Sequence, residues 1–307
     1  MPGILSKLVS SADLTIQGLR AIVYGTSLFG LAFLCNVAQF PTIFIYPFSR
    51  RLMYDLNSRV AGGIWWVMQY IFEKRHRARI TYSGDVLPVK ESAMVIANHQ
   101  SFVDFYLIHS LALRRRILSY CKYFAKDSLK YLMGMMFIKR NWIHDQRNIH
   151  QMFQRLREDA SPIWLISYLE GTRVTSKKLI ESKEFAKNRG LPILDHLLLP
   201  RTKGFCECIR QLRDTQIQHL YDLTIVYTHQ EHGVGFSPSL VRVHTNPLNT
   251  EYNFHVHVRR FPLKDLPTDD EALTQWVYRL YQEKDAYLDQ VKKQGLDMKK
   301  VREEPWF

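Results

Sequence analysis

SAMVIANHQSFVD, residues 92 to 104, is the stretch from which the rest of the chain can be ordered. Its first part, Ala93 to Ala97, is a short apolar run bounded by Ser92 and Asn98, the pattern of a strand covered on both faces. Its second part is polar and leads into helical spacing over roughly 101 to 113. Strand, polar bend and helix in immediate succession predict an α/β domain. His99 and Asp104 are five residues apart across the bend. On a continuous helix that spacing separates two side chains by roughly 140°, and on a strand it puts them on opposite faces, so only the bend lets them meet. There the carboxylate can accept one ring N–H and leave the other nitrogen as a general base.

The pattern repeats outward. ARITYSG (78–84), ILSYCKYFA (117–125), PIWLISYLE (162–170) and DLTIVYT (222–228) read as further strands. Helical spacing runs over 126–133, 144–160, 174–189 and 203–215. FHVHVRRF (254–261) alternates polar and apolar residues as a strand with one solvated face, and 268–294 reads as a charged amphipathic helix. The expectation is a mostly parallel central sheet flanked by helices. The globular domain occupies 76–295, after an N-terminal segment (1–75) and before a frayed tail (296–307) that ends KKVREEPWF.

The N-terminal segment carries a different signal. Residues 21–49, AIVYGTSLFGLAFLCNVAQFPTIFIYPFS, contain no charged residue. About 20 apolar residues cross a bilayer as a helix. Pro41 and Pro47 break the second half, so the reading is a helix over 20–40 followed by a bent return, or a re-entrant hairpin in one leaflet. A cleavable signal peptide fits poorly, since about 19 mixed residues precede the run. In VAGGIWWVMQYIFEKRHRAR (60–79), Trp65, Trp66, Tyr70 and Phe72 neighbour Lys74, Arg75, Arg77 and Arg79. That suits a helix at headgroup level, packed on the domain, or both.

Composition limits the partners. The 307 residues include 42 Lys+Arg and 29 Asp+Glu, a formal net charge of +13. A mean hydropathy of -0.22 excludes a polytopic transporter but leaves room for one apolar segment. The surplus of cations points to a polyanion: nucleic acid, an anionic membrane or phosphorylated small molecules. Four cysteines, Cys35, Cys121, Cys206 and Cys208, form no CxxC knuckle and fit a reducing compartment. His255 with His257, or His229 with His232, lack the ligand spacing of a structural zinc, so no metal is expected. No G-x-S-x-G elbow supports a serine hydrolase.

Three later segments carry cations at strand or loop edges: GMMFIKR, ending in Lys139 and Arg140; EGTR, Glu170 to Arg173; and LPRTKGF, with Arg201 and Lys203. Each alone reads as a solvated loop. Together with His99 and Asp104 they describe a crevice at the carboxyl ends of a sheet, where anionic ligands bind.

In this order and spacing, NHQSFVD, FIKR, EGTR and LPRTKGF resemble the four motifs of the glycerophospholipid acyltransferases, such as the 1-acylglycerol-3-phosphate acyltransferases. The long run from Glu170 to Phe205 resembles the eukaryotic branch that includes lysophosphatidylinositol and lysocardiolipin acyltransferases. The resemblance covers roughly residues 80 to 230. It implies acyl-CoA as co-substrate, a lysophospholipid acceptor and no further cofactor. It also implies His99 as the base, oriented by Asp104, and Lys139, Arg140, Glu170, Gly171, Thr172 and Arg173 around the acceptor phosphate. Arg201 and Lys203 fall to the acyl-donor side or to closing the site. The expected product is phosphatidic acid, with the other two headgroups and a non-catalytic membrane scaffold as the alternatives. The expected setting is the bilayer of the endoplasmic reticulum, and no nucleic acid. One departure is that this branch often carries a further apolar pair near the C-terminus, whereas here the sequence ends soon after a charged helix.

Overall fold

The computed structural model describes residues 2–124, 153, 154, 157 and 161–306. Helix α1 (Pro2–Gln39) leads through a 3-10 turn (Phe40–Ile45) into α2 (Arg50–Tyr70). After these come β1 (Ile80–Gly84), β2 (Ala93–Ala97), α3 (Asp104–Arg114), β3 (Cys121–Tyr123) and β4 (Trp164–Ser167). The chain continues with α4 (Ser176–Asn188), α5 (Thr202–Leu212), β5 (His219–His229), β6 (Gly233–Val234), α6 (Arg242–Thr245), β7 (Tyr252–Pro262) and α7 (Asp270–Gln294).

The strands form one sheet in the order β1-β7-β5-β2-β4-β3, with β6 beside the end of β5. Pairings β1–β7, β5–β2, β2–β4 and β4–β3 are parallel, and β5–β7 is antiparallel. Alternation along β2 divides the core. Ala93, Val95 and Ala97 pack with Ile64 and Trp65 of α2, Phe72 of the turn that follows it, and Tyr106 of α3. Met94 and Ile96 pack with Phe205, Ile209, Val277 and Tyr281 from α5 and α7. Both faces being covered, β2 is buried throughout, which is why its sequence is a continuous apolar run.

Helices α1 and α2 form an antiparallel hairpin. Pro41 sits in the first turn of the 3-10 segment, and the Ser49 side chain caps α2 by accepting from Leu52 N at 3.2 Å. Gln39 Nε2 donates to Asn57 O at 3.0 Å, and Thr42 Oγ1 to Asn57 Oδ1 at 2.9 Å. The other face of α2 lies along the domain. Trp65 meets the His109 ring at 4.7 Å between centroids, and Glu73 pairs with Arg114 at 2.8 Å. One residue of α2 makes that packing possible: a Cβ on Gly62 would lie 2.6 Å from Ser119 Cβ and 2.9 Å from Ser119 Cα. The stretch from Gly18 to Ile45 is long and apolar enough to cross a membrane, and only 12% of it is buried. Trp66 and Tyr70 face solvent, whereas Trp65 and Phe72 belong to the core, so the 60–79 stretch does pack on the domain.

Several expectations need correction. The 117–125 stretch is not one strand: the chain leaves α3 through Arg116 at φ 56, makes a 3-10 turn at Leu118–Tyr120, and pairs only over Cys121–Tyr123. FHVHVRRF does not show its polar face to water, because side chains of β1 meet His255 there and the His257 ring stacks on Tyr287 of α7 at 4.5 Å between centroids. His255, 1% exposed, bonds Thr81 Oγ1 and Ser83 Oγ, each at 2.8 Å, and burial pushes it down to about 4. The C-terminal segment does not fray. Arg302 exchanges backbone hydrogen bonds with Tyr82, both 2.8 Å, and Trp306 Nε1 donates to Glu73 Oε2 at 2.6 Å. The helices read over 126–133 and 144–160 lie outside the described residues, apart from Phe153, Gln154 and Arg157, which are helical.

The neighbouring glycines of α2 provide a test of this packing. Gly62→Ala is expected to lower stability by about 1–3 kcal/mol through overpacking against the Ser119 backbone. Gly63→Ala, whose methyl would meet nothing within 4 Å, is expected to raise stability by up to about 1 kcal/mol. Denaturant midpoints of the detergent-solubilised variants measure both.

Candidate active site

The bend after β2 is built by side chains that replace ladder bonds. Asn98, with no exposed surface, donates from Nδ2 to Ile225 O at 3.0 Å and accepts Ile225 N on Oδ1 at 2.7 Å. It thereby prolongs the β2–β5 pairing by one side chain and fixes where His99 emerges. Asp104 opens α3 and is fully buried. Its Oδ2 accepts from His99 Nδ1 at 2.7 Å, Gln100 N at 2.8 Å and Ser101 N at 3.0 Å. Its Oδ1 accepts from Tyr227 Oη at 2.6 Å. With Nδ1 turned to the Asp104 carboxyl, Nε2 is the ring nitrogen of His99 that this contact leaves free. The imidazole is 16% exposed and stacks on Tyr168 at 4.0 Å between centroids, 14° from parallel. Two directions of the ring are therefore set, one by the carboxylate and one by the aromatic face.

The loop after β4 closes on the same bend. Glu170, 2% exposed, accepts His99 N on Oε1 at 3.0 Å and Leu198 N on Oε2 at 3.4 Å. Burial pushes its carboxyl up to about 8, against the backbone N–H of His99, the charge of Lys284 and the N–H of Leu198. Gly171 adopts φ +72, and a Cβ there would lie 2.8 Å from Arg201 Nε. The positive φ is what favours a glycine here. Val174 N donates to His99 O at 2.8 Å, and the Arg173 guanidinium lies 3.6 Å from the Phe102 ring centroid. Thr172 Oγ1 accepts from Lys178 Nζ at 2.5 Å.

The structure thus gathers His99, Asp104, Glu170, Gly171, Thr172, Arg173 and Arg201 around one bend. Lys203 is exposed on the first turn of α5 and forms no hydrogen bond or ion pair with them among the described residues. Lys139 and Arg140 lie outside the described residues. Three participants escaped the sequence reading. Tyr227 and Tyr168 were visible only as aromatic residues near strand ends, and Lys178 as one of two lysines in the first turn of α4. No cluster of three or more metal-ligating side chains occurs among the described residues.

Chemically, this is a histidine held against a buried carboxylate, beside a glycine turn with cations. Comparison with known proteins places it. Residues 79–228 match the family model described as Acyltransferase, and residues 248–303 match the one described as Acyltransferase C-terminus. The chain is 32% identical over 287 residues to 1-acyl-sn-glycerol-3-phosphate acyltransferase gamma of Homo sapiens, covering 88% of this chain and 74% of that one. The chain belongs to the acyltransferase family. To the delta enzyme of Homo sapiens this acyltransferase is 33% identical over 280 residues, covering 85% of its own length and 70% of the relative's. The fold is shared with the crystal structure of the 1-acyl-sn-glycerophosphate acyltransferase PlsC from Thermotoga maritima, with a TM-score of 0.51 over 91% of this chain and 97% of that one, at 14% identity. The second family match covers β7 and all of α7, and β7 lies between β1 and β5 in the sheet. The two matched regions therefore form one domain.

Two measurements follow from this geometry. Tyr227→Phe leaves one oxygen of a fully buried carboxylate without its donor, which is expected to lower stability by about 1–3 kcal/mol and to reduce kcat with KM little changed. For Glu170, the folded protein holds a proton between about 4.5 and about 8 that the unfolded chain has released. Stability therefore falls as pH rises through that window. Glu170→Gln keeps an acceptor for His99 N–H and is expected to flatten that fall in denaturation midpoints taken across the window.

Proposed function

We propose that this acyltransferase moves a fatty acyl group from acyl-CoA to the free hydroxyl of 1-acylglycerol-3-phosphate, giving phosphatidic acid. The observation that carries the reading is the His99–Asp104–Tyr227 chain, buried at its carboxylate and set beside the Gly171–Arg173 turn. The gamma and delta relatives, both named as 1-acyl-sn-glycerol-3-phosphate acyltransferases, support the acceptor class.

In the proposed mechanism His99 Nε2 takes the proton of the acceptor hydroxyl as that oxygen attacks the thioester carbonyl carbon. The C–S bond then breaks, the new ester forms, and the leaving CoA thiolate takes the proton from the imidazolium. No acyl-enzyme intervenes, so Ser101 need not act as a nucleophile. Asp104 holds the Nδ1–H tautomer and stabilises the charged ring. Arg173, Lys178 and Arg201 are suited to the acceptor phosphate, because a planar guanidinium can bind two phosphate oxygens at once. By family resemblance Lys139 and Arg140 are assigned to the same phosphate, and Lys203, with Arg201, to the acyl-donor side or to closing the site.

Membrane attachment belongs to the same reading. Helix α1 lies along α2, and α2 in turn lies along the domain from Asp55, near Ser161, to Glu73, near Trp306. A helix so strapped cannot cross a bilayer alone, which favours a hairpin lying in one leaflet with its apolar outer face in lipid. The endoplasmic reticulum is the proposed membrane.

Purified enzyme given acyl-CoA and lysophosphatidic acid is expected to release free CoA thiol and form phosphatidic acid, with His99→Ala reduced by at least about 10³-fold. Undiminished transfer in that variant would remove His99 as the base, and no transfer by the unmodified protein on any lysophospholipid would favour a non-catalytic scaffold. Arg173→Ala is expected to raise KM for the phosphate-bearing acceptor about tenfold or more with a smaller change in kcat, read from initial rates.

A further inference from the structure

The apolar outer face of α1 does not stop at the helix. Arg20 Nη1 donates to Thr245 O at 3.4 Å and Asn246 Oδ1 at 3.2 Å, which ties α1 to the short helix α6. In the loop leading into α6, Phe236, Leu240 and Val241 are 44%, 44% and 56% exposed. Between them Pro238 turns inward, and its carbonyl accepts from Ser101 Oγ at 3.4 Å. The next residue along from Ser101 is Phe102, 58% exposed, whose ring carries the Arg173 guanidinium. Exposed apolar side chains are thus present on α1, where Leu19 and Val23 also face outward, on the loop leading into the helix to which Arg20 is tied, and at Phe102, beside the Ser101 that bonds that loop.

The loop is held, which makes its exposed side chains informative. Thr228 pairs with Val234, Gly235 N donates to Tyr227 O at 2.8 Å, and Ser239 Oγ accepts from Arg242 N at 3.1 Å. Val243, just beyond, is buried. A fixed loop that presents three large apolar side chains to solvent, tied through α6 to a helix with a longer apolar face, has the character of an interaction surface. Its occupant follows from that tie. Phe29, Phe33, Phe40, Phe44 and Phe48 all point outward from the first arm of the hairpin and its tip, an extent that the acyl region of a bilayer covers and a small ligand does not. Cations border the run at Arg20 and Arg173, suited to headgroup phosphates.

We propose that residues 235–241 form a second membrane contact, a wedge that enters the same leaflet as α1, with Phe102 at its inner end. The proposal rests on the membrane-bound acyltransferase reading and adds a surface to it. A lysophospholipid keeps its one chain among lipid tails and its hydroxyl and phosphate at headgroup depth. A site whose rim sits at that depth receives the hydroxyl without extracting the chain into water.

The test uses the full chain. Leu240→Trp, reconstituted with vesicles of phosphatidylcholine and phosphatidate brominated along the acyl chains, is expected to show fluorescence quenching in excess of that of the unmodified protein. No excess quenching would overturn the proposal. Shielding of the same reporter from a soluble quencher in lipid-free protein, with dimerisation and no bromine effect, would instead assign the face to a second copy. This arm is independent of catalysis, so it decides the wedge even if the enzymatic reading fails. In the kinetic arm, the double variant Leu240→Ser, Val241→Ser is expected to raise the apparent KM for lysophosphatidic acid in vesicles about tenfold. Its kcat/KM for a short-chain acceptor dissolved as a monomer is expected to stay unchanged. Equal loss on both acceptors, or loss on neither, would count against the wedge.

Discussion

A carboxylate with no exposed surface has to be compensated in full, and the satisfaction of Asp104 organises the centre of this molecule. Two of its donors are backbone N–H groups of the bend, one is the histidine it orients, and one is a tyrosine from the adjacent strand. The N–H groups come only from a chain that turns tightly between β2 and α3. The tyrosine comes only from a strand that runs on past the end of β2. The same four bonds therefore shape the bend, align β5 and hold the imidazole.

A second buried charge system holds the C-terminal region to this centre. Lys284 of α7, with no exposed surface, pairs with Asp222 at 2.6 Å and donates to Leu223 O at 2.9 Å. Arg259 of β7 bonds the other oxygen of Asp222 at 2.7 Å. Removing one member of such a group would strand the others in a medium of low polarity. Lys284 also lowers the cost of charge on Glu170, whose two oxygens receive the His99 and Leu198 N–H groups. The helix read as a charged surface element in the sequence is thus tied electrostatically to the loop that braces the base. Between the two systems lies the middle of the sheet, where β5 meets β2 on one side and β7 on the other.

Much of the scaffold was legible because it rests on local patterns. The apolar run Ala93–Ala97, the helical spacings after 104, 176, 202 and 270, and the uncharged stretch before Arg50 each report which faces are covered. His99 and Asp104 were readable as a pair because a strand-to-helix bend is itself local. Reading failed where long-range contact decides. The histidines of FHVHVRRF looked solvated, since nothing in their own strand announces that β1 will lie beside it. The last residues looked free, yet Glu304 bonds Arg115 and Trp306 reaches Glu73, partners remote in sequence.

The sequence by itself determined most of the strands and helices among the described residues, which stretch is apolar enough for lipid, and which histidine and aspartate can meet. These depend on periodicity and on spacing within a few residues. Only the tertiary structure decided that Tyr227, 123 positions from Asp104, completes its hydrogen bonding. It also decided that Glu170 holds the N–H of His99, that Arg201 packs across Gly171, and that β7 inserts antiparallel beside β5. These are contacts between segments distant in the chain, chosen by the burial of polar groups that must find partners wherever the fold brings them.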